Sequence, residues 1–182
     1  MPEAGSGSPT KIAGLAFAAV ATNPPPDLVL TPTTGPGRPV RGWLTTFHLF
    51  FVAVDPYSAA SSRLVPTAAR ILTGYEQADC RVAWLVTGTA EEARRLLGRW
   101  STEILTFVDP DYAAVRAFGL DSLPAAVHLG MDGTIVNHAE GWDPPAWKTL
   151  TTRLSEIVRW SRPLIPGPRD PEPFAGDPLA SA

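Results

Sequence analysis

The chain has 182 residues, of which 45% are hydrophobic and 18% charged, and its formal net charge is −3. The length suffices for one ordinary domain with its own core, and the composition is that of a globular protein. An acidic balance without a Lys/Arg cluster excludes a nucleic-acid-binding surface from the expected functions.

The two ends of the chain differ in composition from its centre. Residues 1–21 combine a Gly/Ser/Pro-rich leader with the run IAGLAFAAVA, which fits a flexible start, an edge strand or a weak export signal. That run is too short to span a bilayer, so we expect no transmembrane segment and favour a cytoplasmic protein over an exported one. Residues 22–160 are the predicted domain, and residues 161–182 are a Pro-rich tail with too few apolar groups for a core.

Strands and helices alternate through the first part of the predicted domain. The predicted elements are a strand at 45–54, a helix from Ser58 to about Gln77, a strand at 80–86, a helix that ends near Trp100, a strand at 103–108, a short helix closed by Gly119, a hairpin of strands 125–129 and 134–138, and a helix from Asp143 to Trp160. Alternation requires parallel strands joined by crossover helices, and the hairpin adds antiparallel strands. The predicted fold class is therefore α/β, a three-layer sandwich with a mixed central sheet and helices on both faces.

Three segments carry a resemblance to a known fold family. They are PPDLVLTPTTGPGRPV, DPYSAASSRLVP and TFVDPDYAAVRAFGLDSLPAAVHLGMDGTIV. With the order of elements, they make residues 24–160 similar to the thioredoxin fold, and most of all to the bacterial TlpA-type thiol-disulfide proteins and their peroxiredoxin (AhpC/TSA) relatives. The third segment is the most specific, because its spacing matches over its whole length.

The resemblance assigns a degenerate redox motif to the segment SAAS. Ser58 and Ser61 stand where the family carries the two cysteines of Cys-x-x-Cys, and Pro124, after Leu123, stands where it carries its cis-proline. The resemblance thereby implies a binding groove made of Tyr57, Ser58, Ser61, Leu123 and Pro124. In such a groove the residue before the proline offers its backbone groups to an extended peptide.

A serine hydroxyl cannot replace the thiolate in disulfide exchange. A thiol ionises with a pKa of about 8.5, whereas the hydroxyl at the same helix N-terminus stays protonated. Serine becomes a nucleophile when a base activates it, but none of His48, His128 and His138 is predicted to lie at the motif. His128 is predicted to face Ile135 across the hairpin, and no two histidines are predicted to share a metal. Ser58 is instead expected to cap its helix.

A single cysteine, Cys80, excludes an intramolecular disulfide and a zinc site of several thiolates. It starts a strand and is predicted to lie, as a small buried residue, at the opposite end of the sheet from Ser58. The favoured function is that of a redox-inactive thioredoxin-fold protein without a cofactor. It would act by binding another protein, in an accessory, chaperone-like or assembly role, and the sequence does not identify that partner.

Two alternatives remain open. One is a thiol-dependent or other oxidoreductase or peroxidase-like enzyme that uses Cys80, and the other is an exported relative of the TlpA type.

The last predicted helix and the segment before it carry three tryptophans, Trp142, Trp147 and Trp160, which have two interpretations. They either pack the last helix against the sheet or form a partner surface, because Trp is enriched in binding hot spots.

Overall fold

A computed structural model describes residues 21–179 of the chain. Within these residues the elements, in chain order, are β1 (Val29–Pro32), β2 (Arg38–Pro39), α1 (Val40–Trp43), β3 (His48–Val54), α2 (Ala59–Thr73), β4 (Cys80–Val86), α3 (Ala90–Leu97), α4 (Trp100–Glu103), β5 (Leu105–Val108), α5 (Ala113–Ala117), β6 (Ser122–Leu123), β7 (Ala125–Leu129), β8 (Ile135–Glu140), α6 (Pro144–Val158) and β9 (Asp177–Pro178). No helix in this range has the length and apolarity needed to cross a membrane.

Seven of the strands form one mixed sheet in the order β2-β1-β5-β4-β3-β7-β8. The central strands β3, β4 and β5 are parallel, and β7 runs antiparallel to β3. The sequence HLFFVAV makes β3 apolar on both faces, as a strand inside a sheet covered on both sides requires. The remaining two strands, β6 and β9, pair with each other outside this sheet.

Helices cover both faces of the sheet. Because side chains alternate along a strand, Phe50 and Val52 of β3 enter a core with α2, α3 and α6, while Leu49 and Phe51 enter a second core with α1 and α5. The predicted α/β class, with a mixed central sheet between two helical layers, is confirmed.

Several predicted boundaries shift. The strand 80–86 is placed as predicted, but the strand predicted at 45–54 begins at His48 and the helix predicted to reach Gln77 ends at Thr73. The helix predicted to end near Trp100 is divided into α3 and α4, because Gly98 takes a φ of +55° and stops the first of them. The possible strand at residues 11–21 falls, apart from Ala21, outside the described residues.

The hairpin has a different register from the predicted one. The sequence placed His128 opposite Ile135, whereas the structure pairs Leu129 with Ile135 and His128 with Asn137. A β-bulge between His128 and Leu129 shifts the pairing by one residue. That shift could not be read from the Asp-Gly turn alone, which indicates a hairpin but not a bulge.

The described part of the Pro-rich tail packs along the domain. Ile165 is buried in the core that contains α2 and α6. The buried carboxylate of Asp170 accepts hydrogen bonds from Arg70 at 2.7 Å and from Thr67 at 3.0 Å. Farther on, Phe174 exchanges two backbone hydrogen bonds with Trp142, at 2.8 and 3.0 Å. The tail therefore packs against the domain at Ile165, Asp170 and Phe174 before it reaches β6.

Candidate functional site

Ser58 caps the N-terminus of α2. Its Oγ accepts a hydrogen bond from the backbone N–H of Ser61 at 3.0 Å, with Ser58 itself in extended backbone conformation. Satisfying one of the free N–H groups of a first turn stabilises a helix by about 1 kcal/mol. The predicted cap is confirmed, and both serines are held inside the protein, Ser58 at 8% and Ser61 at 0% exposure.

Asp55 fixes the loop that enters α2. Its backbone N–H donates to the Oγ of Ser61 at 3.0 Å. Its carboxylate accepts from the backbone N–H of Tyr57 at 2.7 Å and from the hydroxyl of Tyr112 at 3.0 Å. Within the described residues, which include all three histidines, no imidazole is hydrogen-bonded to either serine of the motif. The geometry of a base-activated serine is therefore not assembled there.

Tyr57 is the exposed member of the predicted groove, with 76% of its surface accessible. Its hydroxyl donates to Glu92, a residue that also completes the capping box of α3 with Thr89. The hydrogen bond from Tyr57 lowers the pKa of Glu92, and the same bond raises the pKa of Tyr57. Tyr57 thus presents a large aromatic ring to solvent directly before the motif.

Leu123 offers a strand edge, and the tail is paired with it. In the β6–β9 ladder Leu123 lies opposite Asp177, and Ser122 lies opposite Pro178. The bond between Leu123 and Pro124 is cis. Asp177 also reaches the motif, because its Oδ2 accepts a hydrogen bond from Ser58 Oγ at 2.5 Å. One residue therefore joins the two parts of the predicted groove, its backbone at Leu123 and its carboxylate at Ser58.

No pattern in the sequence pointed to Asp177. It lies in a Pro-rich segment without hydrophobic periodicity, more than a hundred residues from Ser58 along the chain. Its role follows only from the path of the tail, which is set by buried contacts of Ile165 and Asp170.

Cys80 lies at the other end of the sheet from the motif, as predicted. It is paired with His48 at the start of β3, whereas the motif follows Val54 at the end of that strand. Only 6% of Cys80 is exposed, and burial raises the pKa of its thiol to about 12. Because the thiolate is the reactive form, Cys80 is a poor nucleophile at neutral pH.

We expect Cys80 to resist alkylation in the folded protein. At pH 7.5, iodoacetamide should modify it more slowly by a factor of about 100 than in 8 M urea, because both burial and protonation are lost on unfolding. Intact-mass spectrometry over time gives both rates. Similar rates in the two conditions would show an accessible thiol and contradict the structure.

His48 and His128 form a pair that the sequence did not predict. His48 Nδ1 and His128 Nε2 are 3.0 Å apart, so one ring donates to the other. The contact arises because β3 and β7 are neighbours in the sheet and His128 lies opposite Phe50, two residues along the same face of β3 from His48. His48 also lines a cavity of about 800 Å³ that lies at the Cys80 end of the sheet. Among residues 21–179 no cluster of three or more His, Cys, Asp or Glu side chains is placed to hold a metal ion.

The pair predicts a pH-dependent stability. Burial, followed by the charge of His48, lowers the pKa of His128 to about 4, and burial lowers the pKa of His48. The pKa of His128 is about 6.5 in the unfolded chain, so between pH 6.5 and 4 the unfolded chain binds more protons than the folded one. The contribution of His128 to stability is therefore fully present above pH 6.5 and is lost as the pH falls toward 4. Acidification from pH 7 to 4.5 should lower the free energy of unfolding by about 2–3 kcal/mol through His128 alone.

Urea denaturation at pH 7 and 4.5 measures this contribution. Carboxylates also titrate in this range, so the comparison is between variants. His128→Leu should lose about 2–3 kcal/mol less than the wild type on acidification, whereas His138→Gln should follow the wild type. Equal losses for His128→Leu and wild type would mean that His128 is not held neutral by the fold.

No protein-family model and no curated protein sequence matches the chain. Solved structures do match. A candidate thiol:disulfide interchange protein DsbE from Chlorobium tepidum aligns with a TM-score of 0.63 at 15% identity, covering 78% of this chain and 99% of that one. A secreted disulfide oxidoreductase from Mycobacterium tuberculosis aligns at 0.54 and 13%, covering 73% and 95%.

A peroxiredoxin-like structure matches as well. The bacterioferritin comigratory protein of Xanthomonas campestris, described with alkyl peroxide reduction activity, aligns with a TM-score of 0.56 at 12% identity, covering 80% of this chain and all of that one. At such identities the shared property is the arrangement of the backbone. With its mixed sheet between two helical layers, the chain has the thioredoxin-like fold.

Proposed function

We propose that this chain is a redox-inactive thioredoxin-fold protein that acts by binding another protein. Tyr57, Ser58, Ser61, Leu123 and Pro124 form its binding groove. The role is that of an accessory, chaperone-like or assembly factor, and the bound partner contributes an extended segment.

The observation that carries the proposal is the state of the two serines. By the resemblance, Ser58 and Ser61 take the positions of the nucleophilic and the resolving sulfur of a thiol-disulfide protein. Both hydroxyls are hydrogen-bonded within the protein, to Asp55, Asp177 and the backbone of α2. A hydroxyl does not form a mixed disulfide, so the two serines cannot carry out thiol-disulfide exchange. The backbone of Leu123 supports the proposal because it pairs with an extended segment, which in this structure is the tail at Asp177.

The enzymatic alternative would need Cys80. Its burial, its raised pKa and its distance along β3 from the motif all argue against that role. The His48–His128 pair is neutral near pH 7 and lies at the same end of the sheet as Cys80. It therefore offers no base to the motif.

Photo-crosslinking tests the proposal. A benzoylphenylalanine at Tyr57, which is 76% exposed beside the motif, should form discrete protein adducts when cells that express the variant are irradiated. The matched control is the same residue at Met131, which is 54% exposed at the other end of the sheet. Adducts specific to position 57 that persist in dithiothreitol are expected. The proposal fails if the two positions give the same adducts, or if the adducts at position 57 disappear on reduction.

A further inference from the structure

The backbone of the tail pairs with β6 as an added strand. Leu123 lies opposite Asp177, Ser122 lies opposite Pro178, and the N–H of Leu179 donates to the carbonyl of Asp121 at 2.8 Å. Hydrogen-bonded pairs alternate with non-hydrogen-bonded pairs in an antiparallel ladder. Pro178 occupies a non-hydrogen-bonded position, where its missing N–H leaves no donor unpaired.

The side chains of the tail match the groove at two neighbouring positions. The Asp177 carboxylate accepts from Ser58 Oγ at 2.5 Å, at the N-terminus of α2, where the helix dipole favours a negative charge. Gly176 lies so close to β6 that an added Cβ would come within 2.8 Å of Ser122 Oγ and 3.0 Å of the carbonyl oxygen of Leu123. The groove thus accepts a residue without a side chain, then an acidic residue, then one that needs no N–H.

The contact between β6 and β9 is short and exposed to solvent. Asp177 and Pro178 are both exposed, and β9 has only these two residues. The tail is held nearby by further contacts, among them the ion pair of the buried Asp170 carboxylate with the partly exposed Arg70 at 2.7 Å. A segment tethered by a short linker has an effective concentration in the millimolar range, so it occupies the groove even when its intrinsic affinity is modest.

We infer that residues 174–179 are an internal ligand of the groove, and that the partner displaces them with an extended segment of the same chemistry. This inference rests on the proposed binding function and specifies its partner. The partner strand carries an acidic residue in the place of Asp177, which bonds to Ser58, and a glycine before it, which fits against Leu123.

Fluorescence anisotropy with a labelled peptide of residues 172–179, EPFAGDPL, tests the inference on the full chain. Asp177→Ala weakens the internal ligand, so this variant should bind the peptide about tenfold more tightly than the wild type. A peptide in which the aspartate is replaced, EPFAGAPL, should bind the same variant about tenfold more weakly, because it lacks the carboxylate for Ser58.

The matched control is a disulfide between positions 122 and 178, which ties the tail covalently to β6. We call this disulfide the lock. Cα atoms in a non-hydrogen-bonded pair are about 4.5 Å apart, within the range that a disulfide spans. The oxidised Ser122→Cys/Pro178→Cys chain should bind the peptide at least about tenfold more weakly than the same chain after reduction. The internal ligand is rejected if locked, reduced and Asp177→Ala chains bind the peptide equally, or if both peptides bind equally.

The crosslinking result separates this inference from the binding function. Position-57 adducts that are unchanged by the lock would reject residues 174–179 as the occupant and leave protein binding in place. Absence of both the adducts and the peptide binding would reject the groove itself.

Discussion

Replacing Trp147 with alanine is expected to lower the free energy of unfolding by about 3–5 kcal/mol. Trp147 is fully buried and packs edge to face on Trp142, with their ring centroids 5.3 Å apart. Its indole N–H donates to the carbonyl of Gly141 at 2.9 Å. Truncation leaves a cavity and an unpaired carbonyl oxygen, and both destabilise the folded state. Urea denaturation followed by circular dichroism measures the loss.

Trp160 supplies the matched control. It is 40% exposed, and its indole N–H donates to the carbonyl of Gly74 at 2.7 Å. Trp160→Ala should lower the free energy of unfolding by about 1 kcal/mol, because a partly exposed side chain at the surface leaves no closed cavity when it is removed. Similar losses at the two positions would contradict the assignment of Trp147 to the core and of Trp160 to the surface.

The double substitution Ser58→Cys/Ser61→Cys is expected to form an intramolecular disulfide. The two positions lie three residues apart at the first turn of α2. The Oγ of Ser58 accepts a hydrogen bond from the backbone N–H of Ser61 at 3.0 Å, so the side chain of residue 58 already points toward residue 61. A thiol at a helix N-terminus has a lowered pKa, which favours its oxidation. The neighbouring Asp177 carboxylate opposes that effect, so adding Asp177→Ala should speed formation of the bond.

Mass spectrometry after treatment with glutathione disulfide and then iodoacetamide detects the bond. The double variant should lose two alkylation sites, whereas Ser58→Cys and Ser61→Cys alone should each keep an alkylatable or glutathionylated thiol. If both new thiols of the double variant remain free, the alignment of Ser58 and Ser61 with Cys-x-x-Cys is wrong.

Local patterns were sufficient to predict most of the fold. The apolar runs HLFFVAV and CRVAWLV are buried from both sides, so their composition identifies them as inner strands whatever surrounds them. The helix cap at Ser58 is equally local, since it depends on the first turn of α2 alone. These features needed no knowledge of distant contacts.

Features that depend on distant contacts were not predictable in the same way. The contact of His48 with His128 requires the adjacency and the register of β3 and β7. The contact of Asp177 with Ser58 requires the path of a tail whose sequence has no periodicity. In both cases the residues that meet are separated by long stretches of chain, and the sequence near each of them carries no sign of its partner.

Insulin disulfide reduction, with dithiothreitol as electron donor, tests the central claim most directly. The claim is that the fold retains a groove but has lost its electron transfer because oxygen stands in place of sulfur. The wild-type chain should reduce insulin no faster than dithiothreitol alone, and the Ser58→Cys/Ser61→Cys chain should exceed that rate. A wild-type rate above the background that disappears in Cys80→Ser would contradict the claim.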